Sequence, residues 1–556
     1  MSNLLSQASL VMIPSGYKED KVYSAVPTDG SGDLSFTRAS NGTRVNSAGL
    51  VEVCPWNLLL NTNTFSGWSL EGGTLTSGFN APDGSSTAYK YVQTTGGIYS
   101  GSATATSGNK TVSVWLKSVS GTSITCNLQD GGSSNATTVT VTGDWQLFTF
   151  TYTTSTSRPA LYIYSISNAS GIYLWHPQLN EGSTAKPYFP TTDRLNVPRL
   201  TYQNGGGGCP SLLLEPQRTN TMLYSQAINS WATKTELTIT DNNATSPDGT
   251  TDASYIQQTT GGNAVTLNSQ TVTVTTGQVQ TISFYAKAKE VTSISLRLGG
   301  VTIWAGGIRP IFTCDLSNGT ISVQTGSITV SSESVGNGWY RFVVVTAATI
   351  ASGAASLQTP TGAIFSSTSG DGFYLWGVQW EQNASYPTSY IPTTTASATR
   401  VADAFSRNNI YTNGLITSSG GTWFVELLNN VALGRDNSNV SLYLGDNLTP
   451  TNGNGLYLVN GGGTDRLTIW KRVSGSGGFL YTTITSTVKM VIKWNGSTAD
   501  VFVNGTKVVS ASSFTTTLME YLYCASGGPC QTEFISQMDL FPTPLTDAEC
   551  IALTTL

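Results

Sequence analysis

The sequence predicts an all-β protein built from tandem jelly-roll β-sandwiches. Short strands of period two recur along the chain, separated by turns rich in Gly, Asn and Ser. Helical periodicity is almost absent, which favours a sandwich or jelly roll. The third observation is a long duplication. Asp83-Gly84, within Ala81 to Ala88, returns as Asp248-Gly249, within Ser246 to Ala253. Thr94 to Gly97 returns as Thr259 to Gly262, Gly171 to Trp175 as Gly372 to Trp376, and Tyr188 to Thr192 as Tyr390 to Thr394. The lead-in Arg44…Cys54-Pro55…Leu58-Leu59-Leu60 matches Arg199…Cys209-Pro210…Leu212-Leu213-Leu214. A repeat of this length is a copied domain, not a solenoid unit of about 20–50 residues.

The elements follow in order. Residues 1–56 form a lead segment with strands at Ser9 to Ile13 and Leu34 to Thr37, too poor in apolar residues for a core of its own. It is expected to dock on a neighbour. Residues 57–195 form the first repeat, where Val112, Val114 and Leu116 alternate with Thr111, Ser113, Trp115 and Lys117. Residues 196–400 form the second, where Ile282, Phe284 and Ala286 alternate with Thr281, Ser283, Tyr285 and Lys287. A hairpin-like insertion around Trp304 to Ser332 lengthens it. Residues 401–556 form a third sandwich, with alternation at Trp423, Val425 and Leu427 and at Met490, Ile492 and Trp494. Asn495-Gly496 and Asn504-Gly505 are hairpin turns in which both residues take positive φ. Thr546 caps a last helical turn, with Glu549 as its capping-box partner.

Composition narrows the function. Of 556 residues only 11% are charged and the net charge is −5, so the basic stripe that nucleic acid needs is missing. Seven scattered cysteines are not a disulfide framework. Cys54 and Cys209 hold matching repeat positions and are expected as small buried hydrophobes, while Cys524 and Cys530 lie near enough to bond or to share a metal. No further Cys or His pair completes a zinc set, so no metal site is expected. Leu4 to Ile13 lacks the basic start and cleavage site of a secretory signal, and no apolar run reaches the ~18 residues of a membrane span. The chain is expected to be made in a cytoplasm, without membrane insertion; if it works outside a cell, something other than a signal peptide takes it there, and virion assembly followed by lysis is one such route.

Several motifs resemble those of bacteriophage virion structural proteins, head or tail fibres and spikes. They are Ser9 to Tyr17, Phe36 to Ala39 with Thr43-Arg44-Val45, and the two Cys-Pro lead-ins closing in Leu-Leu-Leu. The Asp-Gly loop followed by Tyr-Leu-Trp and Pro-Thr-Thr resembles the carbohydrate-binding-module-like jelly rolls of such chains. Val488 to Gly505 and Leu545 to Glu549 look like a concanavalin-type, laminin-G-like sandwich. The resemblance implies a fibre or a capsid or tail decoration on the virion surface. It implies partners among other virion proteins, bound through residues 1–56, and a homo-oligomer, by analogy a trimer. Host-surface or mucosal glycans are the implied external ligand.

No catalytic set is visible. His176 is the single histidine and stands where the second copy has Gly377, so a structural or surface role is expected. Ser-His-Asp and Cys-His chemistry would have to use it. Glycosidases need only paired carboxylates, but acidic residues are few. Asp83 and Asp248 are expected as turn residues, accepting backbone N–H bonds beside a Gly of positive φ. A structural calcium there is the less favoured alternative, because too few oxygen ligands are at hand. The aromatic pattern is the functional hint. Trp115 and Tyr285 occupy matching places on the polar face of matching strands, with Lys117 and Lys287 two residues on. An aromatic on such a face can stack on the C–H face of a sugar. The competing explanation is a face covered by a neighbouring domain or subunit. The function expected is therefore a non-enzymatic virion structural protein with glycan-binding capacity. A secreted bacterial adhesin or carbohydrate-binding accessory protein is the first alternative and a glycan depolymerase the second.

Overall fold

Alternation decides the layers. In the strand Gly108–Ser118, Val112, Val114 and Leu116 are fully buried and meet Ile98, Leu128 and Ile163 of a facing sheet. A computed structural model of the chain describes all residues except 1, 55–56, 101–107, 132–134, 155–159, 194, 204, 429–439, 448–453, 461–466, 474–475, 482–487, 515–517, 525–532 and 556. The regular structure of the described residues is almost entirely antiparallel sheet, and helices are confined to short pieces at the two ends and two 3₁₀ turns. The fold class is all-β and sandwich-built, as the sequence predicts. Among the described residues no helix is long and apolar enough to cross a membrane.

The chain folds as two compact units, one of Pro55–Val197 and one of Met1–Cys54 with Pro198–Leu556. The first is a sandwich of two five-stranded sheets. One sheet runs in the order Gln146–Thr154, Gly108–Ser118, Ile172–Glu181, Ala88–Gln93, Gly73–Phe79. The second repeat, inside the other unit, keeps this order through Trp339–Thr346, Gln280–Ala288, Gly372–Gln382, Thr251–Gln258 and Leu237–Thr245. Its extra strands are Ile321–Thr325, paired with Ile311–Asp315, and Ile328–Ser334, paired with Trp339–Thr346.

The lead segment is not a module of its own. Leu10–Met12 pairs with Glu533–Phe541, and Leu34–Thr37 pairs with Ala404–Asn408. Leu10, Met12, Val22, Leu34 and Phe36 are fully buried in one core with Trp423, Met490 and Trp494. The second lead-in behaves alike: the hairpin Arg199–Thr201 and Ser211–Leu214 joins the same sheet through Glu533–Phe541. The C-terminal sandwich is thus assembled from three separated stretches of sequence. Cys54 is buried, but Cys209 is exposed, because Gly205 to Gly208, all at positive φ, carry the chain outward just before it. Cys524 is disulfide-bonded, and Cys530 lies outside the described residues. Asn504 and Gly505 both take positive φ, while in the other Asn-Gly pair only Gly496 does, since that loop is one residue longer. The last helix, Asp547–Thr554, has the complete capping box of Thr546 and Glu549.

A buried charge cluster ties these stretches together. Asp403 accepts from Arg38 at 2.7 Å and also from Arg199, and its other contact is the Glu215 backbone N–H at 2.8 Å. Glu215 pairs with Arg199 and with Arg400 at 2.9 Å, and its carboxylate accepts from the Ser389 N–H and hydroxyl. Burial alone would raise the Glu215 carboxyl, but Arg400, Arg199 and Ser389 reverse this and hold it at about 2.

Candidate functional site

The two repeats carry the same aromatic patch on the outer side of the same sheet. A β-bulge builds it. In the first repeat Trp115 faces Trp175, yet Ser113 faces Gln178, so His176 and Pro177 together oppose Val114. In the second repeat Tyr285 faces Trp376 and Ser283 faces Gln379. Bulges re-aim side chains, and here the bulged residue takes positive φ in both copies: 48° at His176 and 62° at Gly377. Trp175 and Trp376 are consequently buried in outer-face clusters, away from the sandwich cores. The asparagine before each repeat is also shared. Asn57 donates to the Pro177 carbonyl at 2.8 Å and accepts from the Leu179 N–H, while Asn220 does the same with Val378 and Trp380.

The copies diverge at the bulge. In the second repeat a methyl at Gly377 would meet the Tyr285 ring at 2.8 Å, and Tyr390 lies against Trp376 with ring centroids 4.7 Å apart and planes tilted by 49°. In the first repeat the imidazole of His176 enters between Trp175 and Tyr188, at centroid distances of 3.3 and 3.7 Å. The wedge leaves a cavity of about 300 Å³ lined by Thr62, Asn63, Phe65, Asp83, Ser85, Thr87, Trp175 and His176. Trp175 Nε1 donates to Thr87 Oγ1 at 2.9 Å, and Tyr188 donates to Asn63 Oδ1 at 2.7 Å, which fixes the walls. Asp83 Oδ1 accepts from the N–H and hydroxyl of Ser85 at 2.9 and 2.6 Å. Asp248 repeats that turn with Thr250, so both Asp-Gly loops are Asx turns. Among the described residues no group of three or more His, Cys, Asp or Glu is placed to hold a metal ion.

The second repeat's version of this surface is filled by the chain itself. Thr43–Val45 and Val51–Val53 form a hairpin, and Val51 packs among Ala253, Tyr285, Trp376 and Tyr390. The Val51 N–H donates to the Pro247 carbonyl at 3.0 Å, and a methyl at Gly249 would meet Leu50 at 2.8 Å. A methyl at the matching Gly84 would meet nothing within 4 Å.

The residues singled out from sequence divide accordingly. Tyr285 stands on the face that alternation assigns, but it is only 3% exposed, beneath Val51 and with the Arg341 guanidinium 5.4 Å from its ring centroid. It is corrected from sugar platform to covered contact, because a hairpin far upstream in sequence occupies that face. Trp115 is half-buried and meets Trp175 edge-on at 6.4 Å. It borders the cluster and does not line the cavity. Lys117 and Lys287 are half-buried and face Tyr173 and Tyr374 across their strands. The sequence reading missed His176, Asn63 and Asp83 as one site. The available signal was a histidine standing where the other copy has glycine.

His176 gives a direct check. Burial pushes its imidazole down to about 4, against the opposing pull of Asp83, so it is neutral at pH 7. The folded value lies below the ordinary value of about 6.5, so stability from this group is complete above pH ~6.5 and is lost as pH falls toward 4. As the only histidine, it yields one set of imidazole NMR signals. These are expected to titrate near pH 4, and near the ordinary value in Tyr188→Ala, where the ring is uncovered. A midpoint near 6.5 in the intact chain would refute the stacked wedge.

No protein-family model matches the chain, and no curated protein matches it in sequence. Among solved structures it is similar to domain 4 of AbnA, a GH43 extracellular arabinanase from Geobacillus stearothermophilus, solved in complex with arabinotriose. That match has TM-score 0.23 and 13% identity, over 30% of this chain and 81% of the other. It is also similar to the N-terminal CBM22 tandem of Xyn10C from Paenibacillus barcinonensis, at TM-score 0.18 and 12% identity over 62% and 99%. Mouse laminin α1 domains LG4-5 match at TM-score 0.17 and 10% identity over 51% and 92%. At these scores the likeness does not extend to a ligand or an activity.

Proposed function

We propose that this chain is a bacteriophage virion structural protein, a fibre or surface decoration, that binds host-surface or mucosal glycans through the cavity on Pro55–Val197. The observation that carries the glycan reading is the cavity itself. It joins an aromatic wall at Trp175 and His176 to hydroxyl, amide and carboxylate groups, the mixture that orients a sugar. The virion reading rests on the sequence motifs and on duplicated sandwiches joined by lead-in hairpins. The reading is of binding without cleavage: Ser85 spends its hydroxyl on Asp83 directly, and burial holds the His176 imidazole down at about 4, a weak base at pH 7. A homotrimer is proposed with it, and light scattering of the full chain tests that state.

The test is a glycan array with the full chain, beside His176→Gly and Trp175→Ala. Glycine at 176 copies the second repeat and lets Tyr188 close onto Trp175. Both variants are expected to lose about tenfold in affinity or more, the scale of one or two ring contacts. Unchanged binding in both, or release of reducing ends by the intact chain, would overturn the assignment.

A second reading has one specific observation behind it. The matching face of the second repeat is covered by a hairpin, and Leu147, at the place of Arg341, is 48% exposed. That face would then take a hairpin from a neighbouring chain in the assembly. Loss of self-association in Leu147→Glu, with no glycan bound by the intact chain, would favour this reading.

A further inference from the structure

We propose that the cavity on Pro55–Val197 takes a non-acidic sugar, one presenting hydroxyl or amine donors, and rejects uronic and sialic acids. This rests on the glycan reading above. Eight residues line the cavity, and none is Lys or Arg. Asp83 is the one carboxylate among them. Its Oδ1 is used by Ser85, and the residue is exposed, which leaves Oδ2 as an acceptor. The Ser85 bonds hold Asp83 below the usual carboxylate range, so it is ionised at neutral pH. His176 acts on it across space, and that imidazole is neutral at pH 7.

The hydrogen-bonding inventory agrees. Asn63 accepts from Tyr188 through Oδ1, so its amide N–H₂ remains for a ligand oxygen. Asp83 offers only acceptor lone pairs. A sugar diol satisfies both groups, because each hydroxyl can donate to the carboxylate and accept from the amide. A sugar carboxylate cannot donate, and it brings a second negative charge to a site without a cation.

Matched probes separate this claim from the broader one. Glucose with glucuronic acid, and galactose with galacturonic acid, differ only at C6. Binding to the full chain, followed by saturation-transfer NMR at pH 7, is expected to favour the neutral member by about tenfold, the effect of a like charge a few ångströms away. Asp83→Asn keeps the turn acceptor Oδ1 and removes the charge. In that variant the ratio is expected to fall toward one. Equal or stronger binding of the acidic members by the intact chain overturns the charge rule while leaving glycan binding standing. Binding of neither pair, together with a blank glycan array, overturns both.

Discussion

Asp403→Ala is expected to cost about 3–5 kcal/mol, because it removes a buried carboxylate that two buried guanidinium groups share and leaves Arg199 to Glu215 alone. Arg38 and Arg199 are each about 1% exposed or less, and neither can reach water without opening the fold. A typical domain is stable by only about 5–15 kcal/mol, so the loss is a large fraction of the total. The cluster joins the lead segment, the second lead-in and the end of the second repeat, so the unit of Met1–Cys54 with Pro198–Leu556 should weaken as a whole. Urea denaturation followed by tryptophan fluorescence measures it. Asp29→Ala is the control, since Asp29 is exposed and holds only the Ser31 turn. A midpoint for Asp403→Ala equal to the control's would show that the cluster carries no net stability. Acid acts on the same site. With Glu215 held at about 2, its contribution is present above the ordinary carboxylate value of about 4.3 and is lost as pH falls toward 2.

Removing residues 1–40 is expected to unfold the C-terminal sandwich. Five fully buried side chains, Leu10, Met12, Val22, Leu34 and Phe36, would be taken from its core. At about 1.5–3 kcal/mol each, the loss is on the order of 10 kcal/mol, comparable with the whole stability of the domain. Trp423 and Trp494 are buried in that core, so their emission should shift to the red, and proteolysis should enter residues 401–556. A truncated chain that still unfolds cooperatively with its sandwich intact would contradict the pairing. The consequence for assembly experiments is practical. Truncation at either end damages folding before it can report attachment. Only surface changes in the lead segment can test whether it also docks on another protein.

Local pattern made the strands legible. Alternation at Val112 to Leu116 and at Ile282 to Ala286 is a property of neighbouring residues, and the sheets follow it. Partners far apart in sequence left no such trace. Leu10 pairs with Leu540 through backbone groups common to every residue, so nothing in either sequence names the other. The site failed for related reasons. Alternation correctly put Trp115 and Tyr285 on one kind of face, but burial of Tyr285 depends on Val51, which lies outside its repeat. At His176 the bulge breaks period two, so Trp175 reads as core when it faces outward. The Asp-Gly turns were legible because an Asx turn is local chemistry.

The order of the two units along the chain has a topological consequence. Pro55–Val197 is inserted into a unit whose chain resumes at Pro198. On the host side the departing and returning strands are neighbours: the Tyr202 N–H donates to the Val45 carbonyl at 2.9 Å, and the Val45 N–H to Thr201 Oγ1 at 3.0 Å. In the insert the ends also meet, where the Asn57 N–H donates to Thr191 Oγ1 at 2.9 Å. A segment with adjacent ends, entering a scaffold at adjacent points, is a cassette. Recombination or engineering could exchange it for another folded block in one step, and the scaffold would keep every one of its own strand partners.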